Sequence, residues 1–288
     1  MLRPMKIMPS WLIHSQTHDL SKRGLVMGIV NVTPDSFSDG GQYFDERRAI
    51  DHGLELAAEG AAILDVGGES TRPGASPVSV EEELRRVLPV IKGLRGQTKA
   101  LISVDTFKAA VAEQALGAGA DIINDVSGMM HDPRMMEVAA ASSCGLVLMH
   151  MKGEPRTMQK NPEYVDVVAE VAAFFEHRLA ALAEAGIDKT RTVLDPGLGF
   201  GKKLDHNLSL LRHLPQLSVQ NRPVLVGISR KSMIGAVLGN RDMAARMWPT
   251  VAVTAYAREH GAHIMRVHDV KPNVDAMRMA EAILFGVA

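Results

Sequence analysis

The residues with the most chemistry to offer stand where apolar runs of this sequence end. Leu25–Asn31 closes on Asn31, Ile63–Asp65 on Asp65, Leu101–Asp105 on Asp105, and Ile122–Asp125 on Asn124 and Asp125. Gly145–His150 ends on His150, Thr192–Asp195 on Asp195, Val224–Ser229 on Ser229 with Lys231 just beyond, and His263–His268 on Arg266 and His268. Asp105, Asn124 and Asp195 offer acceptors and an amide donor, which suits a flat nitrogen heterocycle with amino, ring N–H and carbonyl edges, as in guanine or pterin. Arg72, Lys231, Arg266 and His268 offer cationic donors for phosphate oxygens or a ring carbonyl. Asn31 could give a neutral oxygen to a Mg²⁺ held mainly by substrate phosphates, the usual way that ion binds.

Each residue also has a plainer reading. Asp65, before Gly67-Gly68, could cap loop amides as readily as touch a ligand. Asp105, before Thr106, could be the N-cap of the next helix. Asp125 suits pairing within a rim, and His150, between Met149 and Met151, suits a core or rim position. Asp195-Pro-Gly-Leu-Gly-Phe-Gly-Lys202 resembles a phosphate-cradling loop but lacks the Walker spacing. Its glycines better suit the close approach of a flat ring. Arg266 and His268, two apart on one strand, face the same side.

These residues need elements to hold them together. The eight apolar runs do not alternate, as expected of parallel strands covered on both faces. Helical periodicity follows each of them: 47–60, 80–94, 106–116, 132–142 with Pro133 at its start, 164–186, 206–214, then 233–238 with 243–260, and 274–285. Eight βα units in roughly 250 residues match a closed (β/α)₈ TIM barrel, an α/β fold whose active site lies at the strand C-terminal ends. No strand-linked Gly-x-Gly-x-x-Gly supports an open doubly wound sheet. The expected division is an N-terminal tail over 1–23 and one barrel domain over 24–288.

Composition narrows the partners. The chain has 288 residues, 46% hydrophobic and 23% charged, in the ordinary globular range. Aromatics are only 4%, so the core must be aliphatic, helped by 17 Met. Lys and Arg total 32 against 33 Asp and Glu, a formal charge of −1. That balance argues against nucleic acid or a membrane surface as partner. No apolar run reaches the ~18–20 residues needed to cross a bilayer, and no signal peptide is evident, so a cytoplasmic protein is expected. The single Cys144 cannot pair within the chain and reads as a buried structural thiol in a reducing compartment.

The motifs go further than barrel logic. Asn31-Val-Thr-Pro-Asp-Ser-Phe-Ser-Asp-Gly-Gly41, Asp65-Val-Gly-Gly-Glu-Ser-Thr-Arg-Pro-Gly74, Ser103-Val-Asp-Thr106, Ile123-Asn-Asp-Val126, Asp195 to Lys202, Ser229-Arg-Lys-Ser-Met233 and Arg266-Val-His-Asp-Val270 closely resemble the dihydropteroate synthase family, in the family's order. The resemblance implies a homodimeric, Mg²⁺-dependent enzyme of folate biosynthesis and a target of sulfonamides. Such an enzyme joins (7,8-dihydropterin-6-yl)methyl diphosphate to 4-aminobenzoate and releases diphosphate.

By the same resemblance Asp105, Asn124, Asp195 and Lys231 would hold the pterin, and Met149 would line its pocket. Arg266 would stack on the ring and reach phosphate. His268 and Asn31 would serve the diphosphate and Mg²⁺. Thr71, Arg72 and Pro73, with Phe37 and Ser232, would build the aminobenzoate and diphosphate end. Asp105, Lys231, Arg266 and His268 are the expected catalytic groups: the cationic group, with Mg²⁺, would draw out the diphosphate, and Asp105 with Asp195 would stabilise the pterin-methyl cation left behind. Asp65 is expected to be structural or supporting. Pro249 departs from the family pattern and should kink or start its helix. Two other readings fit the motifs less well. A methyltransferase acting on a methylated folate would not need Ser-Thr-Arg-Pro and Ser-Arg-Lys-Ser to hold a diphosphate, and a non-catalytic relative would be expected to lack Lys231, Arg266 or His268.

Overall fold

Strand parity organises the molecule. The computed structural model describes residues 9–33, 42–70, 76–153, 157–239 and 242–287, with side chains from residue 46 in the second stretch. Eight strands, β3 (Leu25–Asn31), β4 (Ile63–Gly67), β5 (Leu101–Asp105), β6 (Ile122–Asp125), β7 (Gly145–Met149), β8 (Thr192–Asp195), β9 (Leu225–Gly227) and β10 (Ile264–Val267), form one sheet. They lie in the order β8-β7-β6-β5-β4-β3-β10-β9. All their pairings are parallel, and a single bridge between Leu194 and Val224 joins the two ends. The expected (β/α)₈ barrel is therefore observed.

Successive side chains alternate between the two faces of the barrel wall. One face carries Val26, Val30, Leu64, Val66, Ile102, Val104, Ile123, Leu146, Leu148, Leu194, Val226 and Met265, which pack into the large aliphatic core beneath the helices. The other face points into the barrel. Its lowest layer takes one residue from each strand: Met27, Ile63, Leu101, Ile122, Val147, Val193, Leu225 and Ile264. Two residues further along the strands the inward set includes Asp65, Ser103, Asn124, Met149, Asp195, Gly227 and Arg266. Beyond these, at the mouth, come Asn31, Gly67, Asp105, Ser229 and His268. The barrel interior is thus apolar at the bottom and polar at the mouth, on one parity throughout.

Within the expected tail, β1 (Ser10–Ile13) and β2 (Gln16–Asp19) form an antiparallel hairpin. Trp11, Ile13 and Leu20 are buried against the lowest layer, closing the barrel's bottom. Trp11 Nε1 donates to the Arg191 carbonyl at 2.7 Å. A Cβ at Gly145 would approach both Trp11 and Ile13 to 2.9 Å, so only glycine lets the plug seat there.

Helix ends show how local chemistry frees the site residues. Helix α1 spans Gln42–Ala58 and α2 Val80–Arg95, the latter N-capped by Ser79. Helix α3 begins only at Ala109 and runs to Gly117, and its Ala109 N–H is taken by Asp132 Oδ2 at 2.9 Å. Asp105 is therefore not its cap. Pro133 lies in a turn ahead of α4 (Met135–Ala141) rather than at its start; Asp132 accepts the Arg134 N–H within that turn at 3.0 Å as well as the Ala109 N–H of α3. Helix α5 (Val167–Glu184) starts after its Asp166 cap, which leaves Tyr164 in the loop before it. Helices α6 (Leu204–Arg212), α7 (Ser232–Leu238), α8 (Met247–Glu259) and α9 (Val270–Phe285) complete the ring. Pro249 lies in the first turn of α8, where its missing N–H costs no helical bond, so it starts the helix without kinking it. No helix among the described residues is long and apolar enough to cross a membrane.

Candidate active site

Three acids and one guanidinium meet at the barrel mouth. Arg266, on β10, donates from Nε to Asp65 Oδ2 at 2.6 Å and from Nη2 to Asp105 Oδ2 at 2.7 Å. Asn124 Nδ2 donates to the same Asp65 oxygen at 3.1 Å. The other Asp65 oxygen is buried with no hydrogen-bond partner among the described residues. Burial works against the Arg266 charge, but Asp65 and Asp105 outweigh it and hold its pKa above the ordinary value. Asp65, expected only as a support, turns out to be the pivot that orients both Arg266 and Asn124.

Opposite this group stand Asp195 and Lys231. Asp195 Oδ1 accepts the Gly197 N–H at 2.7 Å. Lys231 Nζ donates to the Leu198 carbonyl and sits 4.7 Å from the Phe200 ring centroid. A Cβ on Gly227 would lie 3.9 Å from Arg266 Cβ, Asp195 Oδ2 and Lys231 Nζ alike, so these three side chains meet at one point of the inner wall. Burial pushes the Lys231 ammonium down to about 8, opposed by Asp195. Burial also raises Asp195, opposed first by Lys231.

The loop from β9 into α7 is held in a strained form. Arg230 has a φ of 55°, rare for a residue with a side chain. It is fixed by a two-point ion pair to Asp269 and by its N–H to Thr250 Oγ1 at 3.2 Å. The turn presents Lys231 inward and leaves Ser232 exposed as the first residue of α7. Ser229 Oγ accepts the His268 N–H at 3.1 Å and lies 3.0 Å from its Nδ1, which fixes the imidazole at the rim. Met149 is buried beside the Gly197 turn.

His150 is a core residue, as its neighbours suggested. It is buried against Phe174 and Lys202, and burial pushes it down to about 3, so it is neutral. The structure therefore brings together Asp105, Asn124, Met149, Asp195, Lys231, Arg266 and His268, with Asn31 and Ser232 at the rim. Phe37, Thr71, Arg72 and Pro73 lie outside the described residues. Asp65 supports Arg266 and Asn124, as expected, whereas Lys202, Gln159 and Tyr164 were not singled out by the sequence. Asp65 shares its parity with Ile63, an available signal, but its pairing with Arg266 depends on barrel closure.

Asp105 carries a pH consequence. Burial, opposed by Arg266 and reinforced by Asp65, pushes its carboxyl up to about 7. If the ionised form is the useful one, activity is lost as pH falls through that value. We expect kcat/KM to decline on the acid side with a midpoint near 7, and Asp105→Asn to show a much lower rate without that limb. A flat wild-type profile from pH 5.5 to 8 would contradict this.

The fold and this mouth define a pterin-handling barrel, and comparison with known proteins agrees. The family model described as pterin binding enzyme matches residues 27–268. The chain is 50% identical over 259 residues to dihydropteroate synthase of Escherichia coli K12, covering 90% of this chain and 91% of the relative. Xanthomonas albilineans dihydropteroate synthase solved with 4-aminobenzoic acid superposes with a TM-score of 0.90 at 48% identity, covering 96% of this chain and 99% of the other. The Xanthomonas enzyme solved with 7,8-dihydropteroate gives a TM-score of 0.86 at 45% identity, with the same coverage. The chain belongs to the dihydropteroate synthase family of pterin-binding transferases.

Proposed function

We propose that this chain condenses (7,8-dihydropterin-6-yl)methyl diphosphate with 4-aminobenzoate, giving 7,8-dihydropteroate and diphosphate, in folate biosynthesis. The observation that carries the reading is the convergence at the mouth of Arg266, Asp195 and Lys231 beside Gly227, with Asp105 bound to Arg266 and Asn124 joined to it through Asp65. Purified protein with both substrates and Mg²⁺ should release diphosphate only when both are present. No release, or release that ignores aminobenzoate, would overturn it.

The residues suggest how the reaction proceeds. Asp105, Asn124 and Asp195 bind the amino and ring N–H edges of the pterin, and Lys231 leaves the Leu198 carbonyl for the ring carbonyl. Arg266, fixed by Asp65, covers the ring and reaches toward the leaving group, assisted by His268 at the rim. Departure of diphosphate leaves positive charge on the pterin methyl carbon. Fixed carboxylates stabilise that charge as it develops, without reorganising at the moment of reaction. The weakly basic arylamine then attacks and needs little help from a base. Phe37, Thr71, Arg72, Pro73 and Ser232 belong to the aminobenzoate and diphosphate end of this reading.

Asn31 fits a Mg²⁺ that arrives on the diphosphate: it offers one neutral oxygen at the mouth, inward on β3. No three His, Cys, Asp or Glu side chains gather as a metal cage among the described residues, so the donor set suits a substrate-carried ion. When bound, Mg²⁺ supplies charge neutralisation for the departing diphosphate.

Lys231→Ala should weaken binding of the pterin diphosphate by about 1.5–3 kcal/mol, the worth of a charge-assisted contact. Calorimetry showing unchanged affinity would misplace this lysine. A homodimer is supported by the apolar face that α8 and α9 expose, with Trp248, Met279 and Ile283 all largely uncovered. A cytoplasmic location accords with a single cysteine, Cys144, that is buried and free.

A further inference from the structure

The loop between β8 and α6 has no backbone ladder, yet its carbonyls are almost fully accounted for by side chains. The Gly197 and Phe200 carbonyls each accept from Lys202 Nζ at 3.0 Å. The Leu198 carbonyl accepts from Lys231, the Gly199 carbonyl from Gln159, and the Gly201 carbonyl from Tyr164 at 2.9 Å. Five consecutive carbonyls are thus each bound by a side-chain donor, the kind of accounting that buried irregular backbone requires. Gly197 and Gly199 donate their N–H groups to Asp195 and Asn207.

Lys202 is the centre of this arrangement. It is only 3% exposed, and its Nζ also reaches across to β7, 3.2 Å from the His150 carbonyl and 2.9 Å from His150 Nδ1. The loop is pressed hard against that strand end: a Cβ on Gly197, at φ 64°, would lie 2.0 Å from the His150 carbonyl oxygen. One ammonium therefore ties the chain after Met149 to the turn that aims Asp195 and rests Lys231. Only a group with several N–H donors can draw these carbonyls together; a neutral apolar side chain would leave the His150 and Phe200 carbonyls without that donor, while the Gly197 carbonyl keeps only the Phe200 N–H at 3.0 Å. With its contacts on backbone carbonyls and His150, Lys202 lies behind the pocket wall.

We propose that Lys202 is a positioning residue for the pterin substrate, fixing the wall formed by Met149, Asp195 and the Gly197–Gly201 loop. The proposal rests on the pterin reading of the site. Its expected signature is selective, because the aminobenzoate end belongs to other loops.

The test compares wild type with Lys202→Met, of similar length and neutral, and Lys202→Gln, which keeps two donors. Folding is checked by circular dichroism and thermal melting, and 7,8-dihydropteroate and the pterin diphosphate are titrated by calorimetry. We expect folded Lys202→Met to bind the pterin diphosphate at least tenfold more weakly while the KM for aminobenzoate stays within twofold. Lys202→Gln should fall between. Unchanged pterin affinity in a folded variant, equal loss for both substrates, or failure of both variants to fold would overturn the positioning role. Wild-type pterin binding without turnover would instead remove the proposed reaction and leave the Lys202 comparison intact.

Discussion

Arg266→Ala is expected to lose nearly all turnover and to destabilise the fold by about 3–5 kcal/mol, the cost of breaking a buried ion pair from one side. Asp65 is fully buried and already has one unpartnered oxygen, so removing the guanidinium strands its charge in the barrel. Asp105 loses its nearest cation at the same time. Arg266→Lys separates charge from shape. A single ammonium cannot reproduce the two fixed contacts at 2.6 and 2.7 Å, so it should recover much of the stability and little of the rate. Chemical denaturation and steady-state kinetics on both variants decide the matter. Full activity in Arg266→Lys would show that the fork is dispensable.

Trp11→Ala should produce the largest loss of stability remote from the mouth, about 3–5 kcal/mol for a buried aromatic truncated in a packed core. Trp11 is 0% exposed and fills the barrel's bottom. Its loss also orphans the Arg191 carbonyl, whose own side chain is held by the Cys144 and Ala139 carbonyls. The variant's kcat and both KM values should remain near wild type wherever it is still folded, since the hairpin lies at the opposite end from the site. A denaturation midpoint shift worth less than 1 kcal/mol would mean that the hairpin decorates the barrel without closing it.

The barrel was legible because its strands are continuous apolar runs, each followed by helical periodicity. The mouth residues were legible because a polar residue ends nearly every run. What stayed hidden depended on contacts far apart in sequence. The hairpin's apolar residues sit among Ser10, Gln16, Thr17 and His18, and their burial is decided by a barrel bottom that no local pattern reveals. Asp65 and Arg266 lie far apart in sequence on the two strands that flank β3, so the contact between them is not visible in the sequence. The cap alternative for Asp105 stayed open in the sequence because nothing nearby shows that Asp132 takes that duty. Lys202 passed as the end of a phosphate-like loop, although its partners are carbonyls.

The closing seam of the barrel has a dynamic consequence. β8 and β9 meet through one bridge, Leu194 to Val224, with the Leu194 N–H donated to the Pro223 carbonyl at 2.9 Å. The other neighbours share ladders of three to five residue pairs. Amide hydrogen exchange should therefore find its lowest-energy opening here, with Leu194 exchanging before Leu64 or Val104. Asp195 and Lys231 stand on opposite sides of that seam, so a pterin held as proposed would span it like a rivet. Ligand should slow exchange at Leu194 more than anywhere else in the sheet, which makes this one amide a reporter of occupancy from behind the pocket.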